Sequence, residues 1–385
     1  SAQTTLISPT GAGGFELGPT FGDNGWSFDN GTVTNQWFLG SVASVPAGVI
    51  SGTRGAYVSG DAGVTNGYNN ASTSVVHFWR DVTVPAGQTD VTLTFNWAAL
   101  GETSSWDALM VSVAPVTYTP VASSTSLGTG ALAAPATTLV QLWTFSAAQT
   151  ATIKIPVNLL NNCTTASTIR LIFTWKNDSS GGTAPSASID NISLVSNTVP
   201  PLSGTYTVGP TGNFTTLTAA TTAINATGVS GPVILELQSD YAGAGETYPI
   251  VLAGQGACFP PTATNNVTIR PAAGAPLLTI TSASTTATID INNGQWWRID
   301  GRPGGTGTTK GLVVANTSTS GIAIRFINEA SNNIVRFCTV QGVNTSTTSG
   351  VVVFSTTTGA NGNDNNLIDN CDIRDGATTP TNGIY

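Results

Sequence analysis

Charge is scarce in this sequence. Only 8% of its residues are charged, where ordinary domains carry about 25%. Lysine occurs only as Lys154, Lys176 and Lys310. The formal charge is −8 and the pI about 4.4. No basic stripe exists to neutralise phosphates, which excludes nucleic acid as a partner. Histidine occurs once, as His77. That excludes metal sites built on paired His and Cys and leaves one candidate base for Ser-His-Asp or Cys-His chemistry. His77 lies in an alternating run beside Phe78 and Trp79 with no nucleophile motif near it, so a structural role is expected. Long apolar runs are missing too; none of about 20 residues is present to form a transmembrane helix. Cysteine is rare, with 4 in 385 residues, too few for a disulfide scaffold. All four are read as unpaired: Cys163 and Cys258 are distant in sequence, and Cys338 and Cys371 read as small apolar fillers. A Cys338–Cys371 bridge is the alternative that stacking would allow.

What fills the gap is Gly, Thr, Ser, Asn and Ala, a β-rich and turn-rich composition. Runs with period-two alternation succeed one another through residues 1–197, among them 74–84, 91–97, 140–145, 169–175 and 188–194. Short alternating strands separated by Gly/Pro turns predict an antiparallel sandwich. Seven of the 9 tryptophans fall in this part, as a core between facing sheets requires. Residues 198–204 contain Pro200-Pro201 and read as a short semi-rigid linker. Leu217 to Asn225 places apolar residues at helical spacing. The stretch 205–263 is therefore expected to cap the segment 264–385.

That segment is a repeat. Asn332-Asn333-Ile334-Val335-Arg336-Phe337-Cys338 recurs as Asn365-Asn366-Leu367-Ile368-Asp369-Asn370-Cys371. Gly321-Ile322-Ala323-Ile324 recurs as Gly350-Val351-Val352-Val353, and a third copy opens at Gly383-Ile384-Tyr385. Short β-type runs repeated at this period mean stacked coils. The expectation for 264–385 is a right-handed parallel β-helix that continues past Tyr385, with Cys338 over Cys371, Asn333 over Asn366, and Asn and Gly at corners that need positive φ. The overall class is all-β: an antiparallel jelly-roll sandwich, then a parallel β-helix with a small helical cap.

Several residue groups are candidates for chemistry. Asp364, Asp369, Asp372, Arg374 and Asp375 form the one dense charged cluster, and an acid–base enzyme needs such positioned carboxylates. Asp at a β-helix corner also caps turns, and that reading is preferred. Trp37, Trp106 and the pair Trp296-Trp297 are candidates for stacking on sugar rings; in an alternating strand one of the last two must face outward. Glu102 and Asp107 form an acidic loop pair, read as solvated or turn-capping.

Gly14-Phe15-Glu16-Leu17-Gly18 and Asn24-Gly25-Trp26 at one end, with Ser188-Ile189-Asp190-Asn191-Ile192 at the other, resemble the jelly roll of MAM-type domains and several carbohydrate-binding modules. The resemblance implies that the first and last strands pair and that Glu16 and Asp190 hold a structural calcium. The repeat is similar to the coils of pectate-lyase-like proteins. Tyr206-Thr207-Val208-Gly209 through Phe214-Thr215-Thr216-Leu217 resembles the start of β-helix regions in large surface proteins of gliding bacteria. The combined resemblance implies the N-terminal region of a secreted cell-surface adhesin exported by the type IX route. Surface glycans or matrix components would be its partners, with the secretion and outer-membrane anchoring machinery. It implies a signal peptide before Ser1, in keeping with a start at Ser1-Ala2-Gln3, and a C-terminal sorting domain. The expected function is attachment and display without catalysis. The alternative is a polysaccharide lyase or hydrolase, or a carbohydrate-binding protein, with the jelly roll as accessory.

Overall fold

A computed structural model describes residues 3–40, 51–255, 258–356 and 359–385; Ser1 and Ala2 lie outside them. The chain divides into two compact units, Ser1–Val199 and Pro200–Tyr385.

The first unit is a sandwich of two antiparallel sheets. One has the order Gln36–Gly40, Gly55–Ser59, Ser188–Asn197, Asp90–Leu100, Thr144–Ile155. The other runs Ser27–Asp29, Ser74–Val84, Ser167–Asn177, Ala108–Pro115, Thr137–Leu142. Alternation sends one face of each strand inward. Phe78 and Phe173 stack at 4.9 Å between the sheets, and Trp37 meets Phe78 edge-on at 4.8 Å. The first strand, Gln3–Ile7, pairs with the last, Ser188–Asn197, as the jelly-roll resemblance implies. The Gly14–Gly18 motif forms turns beside that pair.

The second unit is a parallel β-helix with three faces. One face stacks Leu202–Val208, Val229–Leu237, Val267–Pro271, Trp297–Asp300, Ile334–Arg336 and Leu367–Asp369. The second stacks Ile250–Leu252, Ala287–Asn292, Ile322–Ile327 and Val352–Phe354; the third stacks Leu278–Ser282, Leu312–Asn316, Cys338–Gly342 and Asp372–Asp375. The repeat is read directly in the register. Ile334 pairs with Leu367, Val335 with Ile368, and Thr339 with Asp372. Asn332 and Asn365 occupy left-handed corners at φ 61° and 55°. Behind them Asn333 is fully buried, and its side chain donates to Asn366 Oδ1 at 3.0 Å. Asn333 Oδ1 in turn accepts from Trp297 N at 2.9 Å. The asparagine column thus satisfies the backbone from one coil to the next.

The stretch 205–263 supplies the expected helix, Leu217–Thr227. Thr216 caps it by accepting from Ala219 N, and the Glu246 carboxylate takes the Leu217 and Thr218 N–H groups. This stretch also adds strands to the stack, since Val229–Leu237 pairs in parallel with Val267–Pro271. The coils therefore begin before residue 264. A helix and loops of unequal length interrupt these earlier coils, so their pairing leaves no repeat in the sequence.

Two cysteine readings change. Cys338 and Cys371 are free thiols, but Cys163 and Cys258 are disulfide-bonded. The expectation that all four are unpaired therefore fails for these two.

Candidate functional site

The two residues expected to share calcium reach one loop. A bulge interrupts the Ser188–Asn197 ladder after Asp190, with Asn191 left-handed at φ 53°. The bulge turns Asp190 toward residues 51–54. Its Oδ2 accepts from Ser51 N at 2.7 Å and its Oδ1 from Asn191 N at 2.7 Å. Glu16 meets the same loop: Oε1 accepts from Thr53 N at 2.6 Å and Arg54 N at 2.9 Å, and Oε2 accepts from the Thr53 hydroxyl. Gly52 between them is left-handed at φ 70°, and a Cβ there would lie 2.4 Å from Glu16 Oε1. Burial raises the Asp190 carboxyl to about 6, and the nearby Glu16 charge adds to the shift. Burial also acts to raise Glu16, but its bonds from Thr53 and Arg54 outweigh that and leave it lowered. The side-chain donors here are all oxygens, the type a hard cation takes, and each already accepts an N–H or O–H from Asn191 or from residues 51–54.

A second acidic group forms at loops joining the strands. Ligand oxygens of Glu102, Asp107 and Asp178 all lie within 4.8 Å of one another. Asp107 is fully buried; its Oδ2 accepts from Tyr68 Oη at 2.5 Å and its Oδ1 from Asp178 N at 2.9 Å. Burial raises the Asp107 carboxyl, against the pull of the Tyr68 bond. Glu102 Oε2 is buried and accepts no hydrogen bond from the described residues. The pair Glu102–Asp107, read from sequence as solvated or turn-capping, is therefore the core of a convergent trio. Asp178 lies 71 residues away, beyond any local spacing signal.

Trp106 sits beside this trio and is 41% exposed. Its ring lies over Gly128, where a Cβ would approach it to 3.2 Å. The buried Lys176 donates to the carbonyls of Gly128 at 2.8 Å and Gly130 at 2.6 Å, fixing the loop behind the ring. Burial lowers the Lys176 ammonium to about 8. The other aromatic candidates are placed differently. Trp37 is buried and donates to Val76 O. Trp297 is fully buried and donates to Ala253 O, while Trp296 is half-buried at a left-handed corner with φ 62°.

His77 is buried, bonded to Thr174 Oγ1 at 2.8 Å and Val121 O at 3.1 Å. Burial lowers it to about 4, so it is neutral at pH 7. On the solenoid, charges meet across neighbouring coils. Arg270 grips Glu236, Arg325 grips Asp290 through two 2.8 Å bonds, and Asp300 accepts from both Arg302 and Arg336. In the dense cluster, Asp372 pairs with Lys310, and Asp369 lies in register with Arg336. Thr279, Thr281, Gln341, Arg374 and Asp375 help line a groove of about 770 Å³ on the third face.

No family model and no curated protein matches this chain. Solved structures do. A Stig cyclase from Fischerella sp. TAU is similar over 51% of this chain and 100% of its own, at 12% identity and a TM-score of 0.32. The carbohydrate-binding module CBM61, in complex with β-1,4-galactotriose, is similar over 50% of this chain and 97% of its own, at 11% identity and a TM-score of 0.27. The catalytic domain of a GH87 α-1,3-glucanase, in complex with nigerose, is similar over 90% of this chain and 75% of its own, at 11% identity and a TM-score of 0.19. Likenesses this remote say nothing of activity.

Proposed function

We propose that the chain is a non-enzymatic cell-surface protein. The sandwich binds glycans at its Trp106 loops, and the solenoid is the spacer that displays it. The observation that carries this reading is the exposed Trp106 ring, backed by a loop that the buried Lys176 holds in place. A flat aromatic face on a rigid support suits the apolar face of a sugar ring. Charge on the solenoid supports the spacer role. Glu236, Asp290, Asp300 and Asp372 are each engaged by Arg or Lys. They therefore do not supply the two free carboxylates a hydrolase needs. Calcium belongs to the proposal as a structural ion held by Glu16 and Asp190, where it would neutralise two adjacent carboxylates. Export is part of it as well. Disulfide-bonded Cys163 and Cys258 suit an oxidising compartment, and the type IX route with outer-membrane anchoring is the path that the adhesin resemblance offers.

The test is to incubate the intact chain with pectin, alginate and neutral glycans, following both binding and the appearance of unsaturated or reducing ends. Binding without turnover is expected. Trp106→Ala is expected to weaken it by roughly 30-fold, the loss of a ~2 kcal/mol anchor. A second reading, that the solenoid itself acts on polysaccharide, is favoured by the groove at Arg374 and Asp375. Turnover abolished by Asp369→Ala or Arg374→Ala would replace the first reading with the second.

A further inference from the structure

The column of side chains that opens the third face is leucine in two coils and cysteine in the next two. Leu278 pairs with Leu312, and Leu312 with Cys338. Because Thr339 pairs with Asp372, the residue above Cys338 is Cys371. The two are presented alike. Each comes directly after a left-handed corner residue, Phe337 at φ 50° and Asn370 at φ 52°. Cys338 Sγ lies 3.2 Å from Arg336 O and 3.7 Å from Ile299 O. Cys371 Sγ lies 3.4 Å from Asp369 O and 3.5 Å from Val335 O, the corresponding carbonyls one coil on. Adjacent strands lie about 4.8 Å apart, within the Cα separation of about 4.4–6.8 Å that a disulfide spans. Cys338 is fully buried, and Cys371 is half-buried.

We propose that Cys338 and Cys371 form a thiol–disulfide exchange site, which a small-molecule disulfide oxidises to a bond between two successive coils. Burial differentiates the two thiols. Contact with Cys338, backbone N–H groups and the Lys310 charge lower the Cys371 thiol despite its burial, while the Cys371 contact and burial raise that of Cys338. Cys371 is therefore the attacking group and Cys338 the resolving one. In the first step the Cys371 thiolate bonds to one sulfur of the small disulfide. The S–S bond breaks, and one thiolate leaves and takes up a proton. In the second step Cys338 gives up its proton and its sulfur bonds to Cys371 sulfur, expelling the second small thiol. Two protein thiols lose two electrons, and one small disulfide gains them as two thiols. Nothing in the step calls on Cys163 or Cys258, which are already disulfide-bonded.

The experiment treats the native protein with excess oxidised glutathione, quenches with acid, and counts thiols after denaturation alongside intact mass. The wild type should fall from two thiols to none, retain no glutathione, and yield a Cys338–Cys371 linked peptide. Cys338→Ser should hold one glutathione on Cys371, because its resolving thiol is gone. Cys371→Ser should keep its single thiol, since Cys338 is buried. Dithiothreitol should restore both thiols of the wild type. A wild type that keeps two thiols, or that accumulates glutathione adducts without closing the bond, overturns the proposal. So does equal reactivity of the two single-serine variants.

Discussion

The Asp190 carboxyl makes stability fall with rising pH, and the fall can be isolated. Its folded value is raised from about 3.8 to about 6 by burial and by the neighbouring Glu16. Between those values the folded protein holds a proton that the unfolded chain has released. Stability must then fall as pH rises through this window and level off above it. At 1.36 kcal/mol per pH unit the loss is at most ~3 kcal/mol. Asn191 beside the bulge is only partly buried, and screening from that side reduces the figure to ~2 kcal/mol. Asp190→Asn removes the titration. It also costs something at every pH, because both carboxylate oxygens accept backbone N–H groups, from Ser51 and Asn191. The amide keeps one acceptor oxygen, but its nitrogen cannot accept the other N–H, so the variant should still lose ~1–3 kcal/mol above the titration window. The assay is denaturant unfolding from pH 4 to 8 with a chelator present, taking wild type minus variant at each pH. That difference should shrink by ~2 kcal/mol from pH 4 to 6.5. Calcium at a hundred times its dissociation constant should add ~2.7 kcal/mol to the wild type at pH 7, about 5–10 °C in melting temperature for a unit of this size. It should do nothing for Asp190→Asn. A difference curve that is flat across pH would refute the account of Asp190, and a calcium response equal in both proteins would refute the site.

Two further outcomes test the solenoid. Trp297→Ala should cost ~3–5 kcal/mol, through a cavity in the stack and loss of the bond to Ala253 O; chemical denaturation followed by far-UV circular dichroism reads it, and a loss below ~1 kcal/mol would contradict the packing. Asp300→Ala leaves Arg302 and Arg336 without their shared carboxylate and should cost ~2–3 kcal/mol, below the ~3–5 of a fully buried pair because Arg336 is one-third exposed. Its deficit should shrink at low pH, since the bonds from Arg302 and Arg336 outweigh burial and hold the Asp300 carboxyl below its usual range, so protonation removes in the wild type what the variant already lacks.

The two units differ in how much of them could be read from sequence, and the cause is where their contacts fall along the chain. In the solenoid each residue meets its counterpart one coil on, so a corner that demands left-handed backbone demands it again some 33 residues later. Asn332 and Asn365 display this openly, as do Cys338 and Cys371. The order of the stack comes from the repeat with no knowledge of distant pairing. Before residue 264 the coils hold a helix and unequal loops, and the repeat fades although the parallel pairing continues. The sandwich works the other way. Alternation marks its strands, but partners such as Ser74–Val84 and Ser167–Asn177 are joined by topology alone. Side chains at the loops inherit that distance. Asp178 reaches Asp107 and Lys176 reaches Gly128 across separations no local pattern records. Trp37 and Trp106 are equally plausible platforms as letters in a sequence, yet one fills the core and the other faces outward. Glu16 and Asp190 lie far apart in sequence and bond to one loop, because the bulge after Asp190 turns its carboxylate toward the residues that Glu16 also meets. Periodic contacts therefore reveal a scaffold, while a binding surface built from loops is specified by contacts that only the folded chain creates.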